Sequence, residues 1–441
     1  MKVLGASTEK LNNLFNMLHK QWDETLAKAD PSSLLPRRTG AHSYSITAPL
    51  ILLDSLHVGG DLYLCIIKDN TETLFSIPLV FTVDGVRRAV AGDGLSQALS
   101  QLPNAESSNG NFTINNRYVG AKSGERSIGV DQTEESVVVG EEVIIKYFSQ
   151  ISESSLTSLP KIEALSAAGF IDMPSLLATI QWTHEGSQYL LALMTTYIPG
   201  SDDGWTWAVD LAQSFLSSES SIGDSTQFGS ELGEILARMH KGFLVHAHHK
   251  SDLAAQSGWI SSALSDLEIA LTLLPGEEGT LLRDLAPTIR SEFNDLKTLG
   301  SQDLSLTHGD FHVGQILRTS EGRYLVIDFD GNPVATQQLL STHQPLIQDL
   351  ASLLQSIDHV ARVVDKRSDF SRTVELEKWI EHAQDNVLHA YQTGMSLTVD
   401  RALLRLFQIQ QEFREFIYAQ RHLPVWLYVP QAAIASLVRK N

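Results

Sequence analysis

The sequence predicts an α+β chain in which strands come first and helices follow. Up to about Ile198 the apolar residues fall in short alternating runs, such as SYSITAPLILLDSL, GDLYLCIIKD, TLFSIPLVFTV and EEVIIKYF, broken by Asp, Asn and Gly. That is the period of half-buried strands. From Trp205 onward the spacing changes to three and four, as in WTWAVDLAQSFL, GSELGEILARMHKGFL and ISSALSDLEIALTLL, the period of amphipathic helices. The helical half is interrupted at residues 307–333, THGDFHVGQILRTSEGRYLVIDFDGNP, by a hairpin pattern with a Ser-Glu-Gly turn.

Bulk properties narrow the class. At 441 residues the chain is too long for one ordinary core, and 43% hydrophobic with 19% charged residues describes a folded protein of two or three domains. A formal charge of −19 repels polyanions and argues against a nucleic-acid partner, while leaving room for a nucleotide neutralised locally by a lysine and a metal ion. Cys65 is the sole cysteine, which excludes an internal disulfide and a thiolate zinc site. The first residues lack a signal-peptide core and nowhere do eighteen apolar residues run together, so a cytoplasmic enzyme with no membrane partner is expected; a monomer is the expected assembly.

Residues 1–105 predict a small antiparallel sheet with an opening helix over Leu11–Ala27 and a second near Gly94–Gln101. The Asn/Ser/Gly-rich stretch 103–111 marks a boundary. Three strand-like pieces follow, the last ending in Lys146, and a buried lysine there needs a counter-charge. QYLLALMTTYIPG reads as a strand running into a turn at Pro199-Gly200. His240 and the histidines of HAHHK lack carboxylates at metal-ligand spacing, so they are expected to be solvated or capping. Asp358 and His359, in the helix PLIQDLASLLQSIDHVARVV, fit an exposed pair as well as a functional one. In the last long helix, Leu406, Ile409, Phe413, Phe416 and Ile417 form an apolar side, with Glu412 and Glu415 together on a neighbouring face. Those two acids either pair with Arg405, Arg414 or Arg421, or meet a cation.

The chemistry concentrates between Thr307 and Pro333. Asp310, Gln315 five residues on, and Asp328 at the end of a buried YLVI run are held on rigid backbone, as phosphoryl transfer requires. HGD-x₄-Q followed by IDFDG resembles the kinase order of catalytic-loop Asp, metal-binding amide and metal-binding Asp. Gly after His makes it similar to the aminoglycoside-phosphotransferase-like kinases, and HGDFHVGQILR with DFDGNP resembles the maltokinase and glucosamine kinase group within them.

That resemblance implies a bilobal protein-kinase-like fold with an N-terminal α/β cap: cap 1–105, small nucleotide-binding lobe 106–198, large helical lobe 199–441. It implies Asp310 as the base facing a sugar hydroxyl with His312 beside it, and Gln315 and Asp328 as Mg²⁺ ligands. Lys146 would grip the ATP phosphates with Glu163 as its partner, and Asp349 would brace the catalytic loop. The loop 131–136 stands where phosphates are covered, yet it has no glycine, so Thr133, Ser136 and backbone amides would make the contacts. Thr196, Tyr197 and Ile198 would meet the adenine. The run E-x-x-E-x-x-YA-x-x-HLP-x-W-x-Y resembles the C-terminal signature of glucosamine kinases and implies a sugar pocket shaped by Glu412, Glu415 and Trp426. The implied reaction is ATP-dependent phosphorylation of glucosamine at its 6-hydroxyl. Maltose at the anomeric hydroxyl is the alternative, disfavoured by DFDGNP where maltokinases more often show DFEGEP. A silent nucleotide- or sugar-binding pseudokinase is the alternative of another class, opposed by retention of the base and metal residues.

Overall fold

The computed structural model describes residues 25–26, 29–35, 46–82, 85–106, 110–120, 123–128, 135–152, 156–296, 300–332 and 343–439. Most of the expected opening helix Leu11–Ala27 lies outside them. The chain divides into two compact units: Met1–Leu156 with Ser175–Pro199, and Thr157–Pro174 with Gly200–Asn441.

The first unit holds two antiparallel sheets. One consists of β1 (Ile51–Gly59), β2 (Leu62–Lys68), β3 (Leu74–Thr82) and β4 (Gly85–Arg88), joined on the far side of β3 by β10 (Gln150–Ile151). The short helix α1 (Pro31–Leu34) is started by Asp30, whose carboxylate accepts from the Ser32 N–H. Its Leu34 joins Leu52, Ile67, Phe75 and Leu79 in a buried cluster. Cys65 is in the same cluster, and burial pushes its thiol well up.

The second sheet has seven strands in the order β5 (Ala105–Glu106), β6 (Phe112–Asn116), β11 (Leu176–His184), β12 (Ser187–Thr196), β9 (Val143–Tyr147), β8 (Glu135–Val139) and β7 (Glu125–Ser127). Alternation along β9 buries Val143, Ile145 and Tyr147 and leaves Ile144 and Lys146 half-buried on the opposite face. The expected helix near Gly94–Gln101 is α2 (Leu95–Ser100). The composition boundary at 103–111 therefore falls where the second sheet begins, while β10 returns from beyond it to pair with the first sheet. A buried carboxylate also joins the two: a register shift in β1 brings Asp54 to accept from the Asn111 side-chain amide (2.7 Å) and the Trp182 indole N–H (3.0 Å).

The second unit is helical: α3 (Ser158–Ala167), α4 (Gly204–Leu216), α5 (Ile222–Thr226), α6 (Phe228–His246), α7 (Leu253–Leu273), α8 (Thr280–Asp295), α9 (Ile347–Arg367), α10 (Thr373–Met395), α11 (Arg401–His422) and α12 (Tyr428–Arg439). The helix expected in segment 106–198, α3, is thus counted with this unit, where Leu165 packs against Gly242 of α6. Helix α9 is buried on nearly all sides and packs against α4, α10, α11 and α12. Helices α6 and α10 approach closely because Gly229 and Gly233 bring α6 against the backbone at Ala383 and Val387, where a Cβ would clash. Beside the helices lie the expected hairpin, β15 (Ile316–Arg318) with β16 (Tyr324–Val326), and a small sheet of β13 (His249–Lys250), β14 (Asp303–Ser305) and β17 (Gln344–Pro345). No helix among the described residues is long and apolar enough to cross a membrane.

Replacing Asp54 by Ala leaves the Trp182 and Asn111 donors without their buried acceptor, which costs on the order of 3 kcal/mol. Urea unfolding of Asp54→Ala against the parent measures it.

Candidate active site

The site is built outward from α9. Asp349, 1% exposed, accepts from the His308 N–H at Oδ2 (2.7 Å) and the Gly309 N–H at Oδ1 (2.9 Å), and His240 of α6 also reaches Oδ2 through Nε2 (3.2 Å). Burial pushes this carboxyl up, but the His240 hydrogen bond, the His240 and His308 rings and the Gly309 amide more than reverse that, leaving it below the usual range. One turn pair further along α9, Ser356 accepts from the Val313 N–H at 3.0 Å. The loop from His308 to Val313 is therefore pinned at two points on one helix face, and Asp349 is the brace that the resemblance implied. His240 corrects the expectation of a solvated or capping histidine: it is fully buried, bridging Asp349 and the Tyr391 hydroxyl (2.9 Å).

His308 is buried too, and burial pulls its ring below the usual imidazole range. The neutral ring places its Nε2–H on the Ile327 carbonyl (3.0 Å) and leaves Nδ1 to accept from the Asp310 N–H (3.4 Å). Asn332 adds a second tie between the two motif segments: its N–H reaches the Gly309 carbonyl (3.1 Å) and its side-chain amide donates to Asp310 Oδ1 (3.3 Å). Asp310 and Asp328 are thus carried by loops hydrogen-bonded to each other, with the Ile327 N–H also bound to the Gln315 carbonyl at 2.9 Å. Asp328 sits at φ 62°, a left-handed conformation costly for a non-glycine residue and held here by these flanking bonds.

Among the described residues no group of three His, Cys, Asp or Glu is placed to hold a metal ion. Mg²⁺ needs only one or two protein carboxylates, taking its remaining oxygens from water and phosphate. The Asp328 carboxylate and Gln315 amide match that demand in kind.

Around Asp310 the second unit supplies an aromatic and acidic surround. His312 Nδ1 accepts from the Gly314 N–H (3.1 Å) and Nε2 lies 3.6 Å from Asp310 Oδ2. Trp205 rests against this turn: a Cβ on Gly314 would press the indole nitrogen at 2.8 Å, and one on Gly204 would overlap the Val313 carbonyl. Trp205 also meets Trp426 edge to face at 5.7 Å. The start of α4 is fixed by its Asp203 cap, by the paired backbones of Asp202 and Arg318, and by Trp207 donating to the Ile316 carbonyl (2.9 Å).

The two glutamates of α11 part company. Glu415 is half-buried and accepts from the Trp426 indole N–H (3.2 Å) and the Gln411 amide (3.3 Å). Glu412 is wholly buried, with Oε1 accepting from Gln355 (2.7 Å) and His359 (2.9 Å) and Oε2 left without a hydrogen-bond partner. Neither pairs with an arginine among the described residues. Arg405 holds Glu292 and Arg414 holds Asp266. Of the two readings open for Asp358 and His359, the structure excludes the exposed pair: both residues are buried, Asp358 clasping Arg362 through two 2.8 Å bonds.

Burial opposes charge on both members of the Glu412–His359 pair and pushes the Glu412 carboxyl up, but Glu412, then Glu415 and Asp358, lift His359 to about 9. His359 carries the proton at neutral pH because three acids face it. His312 is likewise raised: burial lowers it, and Asp310, Glu415 and Asp328 outweigh the burial.

In the first unit, Lys146 of β9 lies in register between Ser136 of β8 and Leu193 of β12, its ammonium 5.7 Å from the Phe148 ring centroid. The N–H groups of Thr196 and Tyr197 are already taken by the carbonyls of Ser175 (3.0 Å) and Glu142 (2.8 Å), which narrows what this stretch offers a base. Thr133 lies outside the described residues. Glu163, in the second unit, is exposed on α3. Two residues before it, Lys161 is buried and donates to the His308 carbonyl at 2.9 Å. Burial lowers its ammonium below the usual lysine range, against the pull of Asp349, Asp330, Asp310 and Asp328.

The phosphotransferase enzyme family matches residues 162–395, which span the catalytic loop, the hairpin and α9. The chain belongs to that family. Two relatives match nearly end to end. The glucosamine kinase of Streptacidiphilus jiangxiensis is 34% identical over 429 residues, 95% of this chain and 98% of that protein. The glucosamine kinase of Mycolicibacterium smegmatis is 34% identical over 400 residues, 88% and 98%. A solved glucosamine kinase in complex with glucosamine, ADP and inorganic phosphate superposes with a TM-score of 0.78 at 33% identity, covering 95% of this chain and 99% of that one. This phosphotransferase thus has a kinase fold of the aminoglycoside-kinase type, and the segments that carry Asp310 and Asp328 are hydrogen-bonded to each other.

Sequence reasoning passed over Lys161, Trp205, Gln355 and Asn332, and left His359 open. A helical wheel places Lys161 on the same side of α3 as buried Ile162 and Leu165, the one signal that could have marked it.

Asp349→Ala leaves two loop amides and a buried imidazole without their acceptor, and a loss of about 3–5 kcal/mol in urea unfolding is expected. A folded-state value near 9 for His359, against ~6.5 unfolded, means the folded protein keeps a proton that the unfolded chain releases. Its contribution to stability is whole below about pH 6.5 and is lost as pH rises through 9. The urea midpoint of the parent should fall across that window, and His359→Gln should flatten the fall.

Proposed function

We propose that this phosphotransferase moves the γ-phosphate of ATP to the 6-hydroxyl of glucosamine. The observation that carries the acceptor is the acidic surround of Glu415, which faces His312 beside Asp310 on one side and His359 on the other. Acids push both imidazoles toward their charged forms, and a protonated amino sugar entering beside Glu415 feels the same field. Maltose offers no charge to answer it. The full-length likeness to glucosamine kinases supports the same choice.

In this reading Asp310, oriented by the Asn332 amide, receives the proton of the attacking hydroxyl. The edge-to-face pair Trp205 and Trp426 offers aromatic surface to the apolar face of the sugar. Glu415 is the acid that meets the amine. Glu412, which the sequence grouped with it, already has His359 as its counter-charge and acts by holding that ring in place. Lys146 serves the nucleotide phosphates. Gln315 and Asp328 would hold Mg²⁺, which when bound neutralises phosphate charge.

Glucosamine and maltose incubated separately with ATP, with ADP release and product mass recorded, test the reading. Phosphorylation of glucosamine at the 6-position well above that of maltose is expected; the reverse preference would select the maltokinase alternative, and no turnover of either would select the pseudokinase. Asp310→Asn should lower kcat by roughly 10³-fold while nucleotide affinity changes little.

A further inference from the structure

One peptide group in the catalytic loop is held at both ends by buried charges of opposite sign. The carbonyl of the His308–Gly309 peptide accepts from the Lys161 ammonium at 2.9 Å, and its N–H donates to Asp349 Oδ1 at 2.9 Å. This is the peptide at which the chain turns toward Asp310, with Gly309 at φ 86°. The amine lies directly beneath that turn, 3.6 Å from where a Cβ on Gly309 would stand.

We propose that Lys161 is a positioning residue for phosphoryl transfer, setting the direction in which the loop presents Asp310 and offsetting the acids gathered around it. The inference rests on the kinase reading above. Its physical basis is the cost of the arrangement. Lys161 is 4% exposed on a helix face otherwise committed to packing by Leu159, Ile162 and Leu165, a position where an apolar side chain of the same length would fit without desolvating a charge. What an apolar side chain would not supply is a donor to the His308 carbonyl, or a positive charge among carboxylates arriving from three directions. Asp349 comes from α9, Asp310 from the catalytic loop, and Asp328 and Asp330 from the turn after β16; the neighbouring His308 ring is held neutral. Without the cation these four acids repel one another across the space where Asp310 must be held to a fraction of an ångström.

Lys161→Met and Lys161→Arg separate charge and hydrogen bonding from bulk. For Lys161→Met, kcat on glucosamine should fall about 100-fold, the scale of a small misplacement of a reacting group, with KM changed less than about threefold. Lys161→Arg, which keeps a cationic donor, should recover to within about tenfold of the parent. Independently of turnover, amide exchange over residues 306–311 should quicken in Lys161→Met and stay near the parent's in Lys161→Arg. Near-parental kcat in Lys161→Met, equal losses in both variants, a change carried by KM, or unaltered exchange would each overturn the proposal. If the parent itself fails to phosphorylate glucosamine, the functional reading falls, while the exchange measurement still decides whether Lys161 holds the loop.

Discussion

The architecture of the second unit depends on a buried carboxylate, Asp349, and the two loop amides it accepts. A charge sealed from water is costly unless every nearby donor is turned toward it, and here His240, the His308 N–H and the Gly309 N–H are so turned. The arrangement is mutual. The loop has no regular secondary structure to fix it, and the acid has no solvent to satisfy it. Helix α9 extends the principle along one stripe, where Asp349, Ser356 and His359 face respectively the loop's start, its end and the acid of α11. A helix that reads as amphipathic is almost wholly buried because its polar side is directed at a site instead of at water.

The acids of the site differ by what neutralises them. Asp349 has amides and an imidazole, Glu412 has His359 and Gln355 in direct contact, and Glu415 accepts hydrogen bonds, among the described residues, from a neutral indole and a neutral amide and meets His359 and His312 only through space. Spacing on α11 made Glu412 and Glu415 equivalent, three residues apart on one face. Burial divides them, since the fully enclosed one is in direct contact with a cation from within the protein while the half-exposed one keeps room for a cation from outside.

What could be read in advance follows the range over which each signal acts. The alternation of β9, the helices beyond Trp205 and the hairpin carrying Asp328 are local patterns, and they fold as their spacing requires. Asp310, Gln315 and Asp328 lie within twenty residues of one another, so their relation is nearly a property of a single segment. His240, Lys161 and Trp205 reach the site from separate elements far along the chain, and a single residue of common type carries no spacing. The burial of Asp358 and His359 depends on what α10 and α11 bring against α9, which no pattern within α9 contains.

The N-terminal sheet shows how a composition boundary can mislead about separability. Its outer edge beside β3 is completed by β10, contributed from beyond the Asn/Ser/Gly-rich stretch, and its Asp54 serves donors on β11 and just ahead of β6. Cutting the chain at that stretch would open a strand edge on one side and orphan an indole on the other. Whatever task the leading sheet performs, it shares a strand pairing and a buried acceptor with the sheet that bears Lys146, so the two should unfold together as one cooperative block.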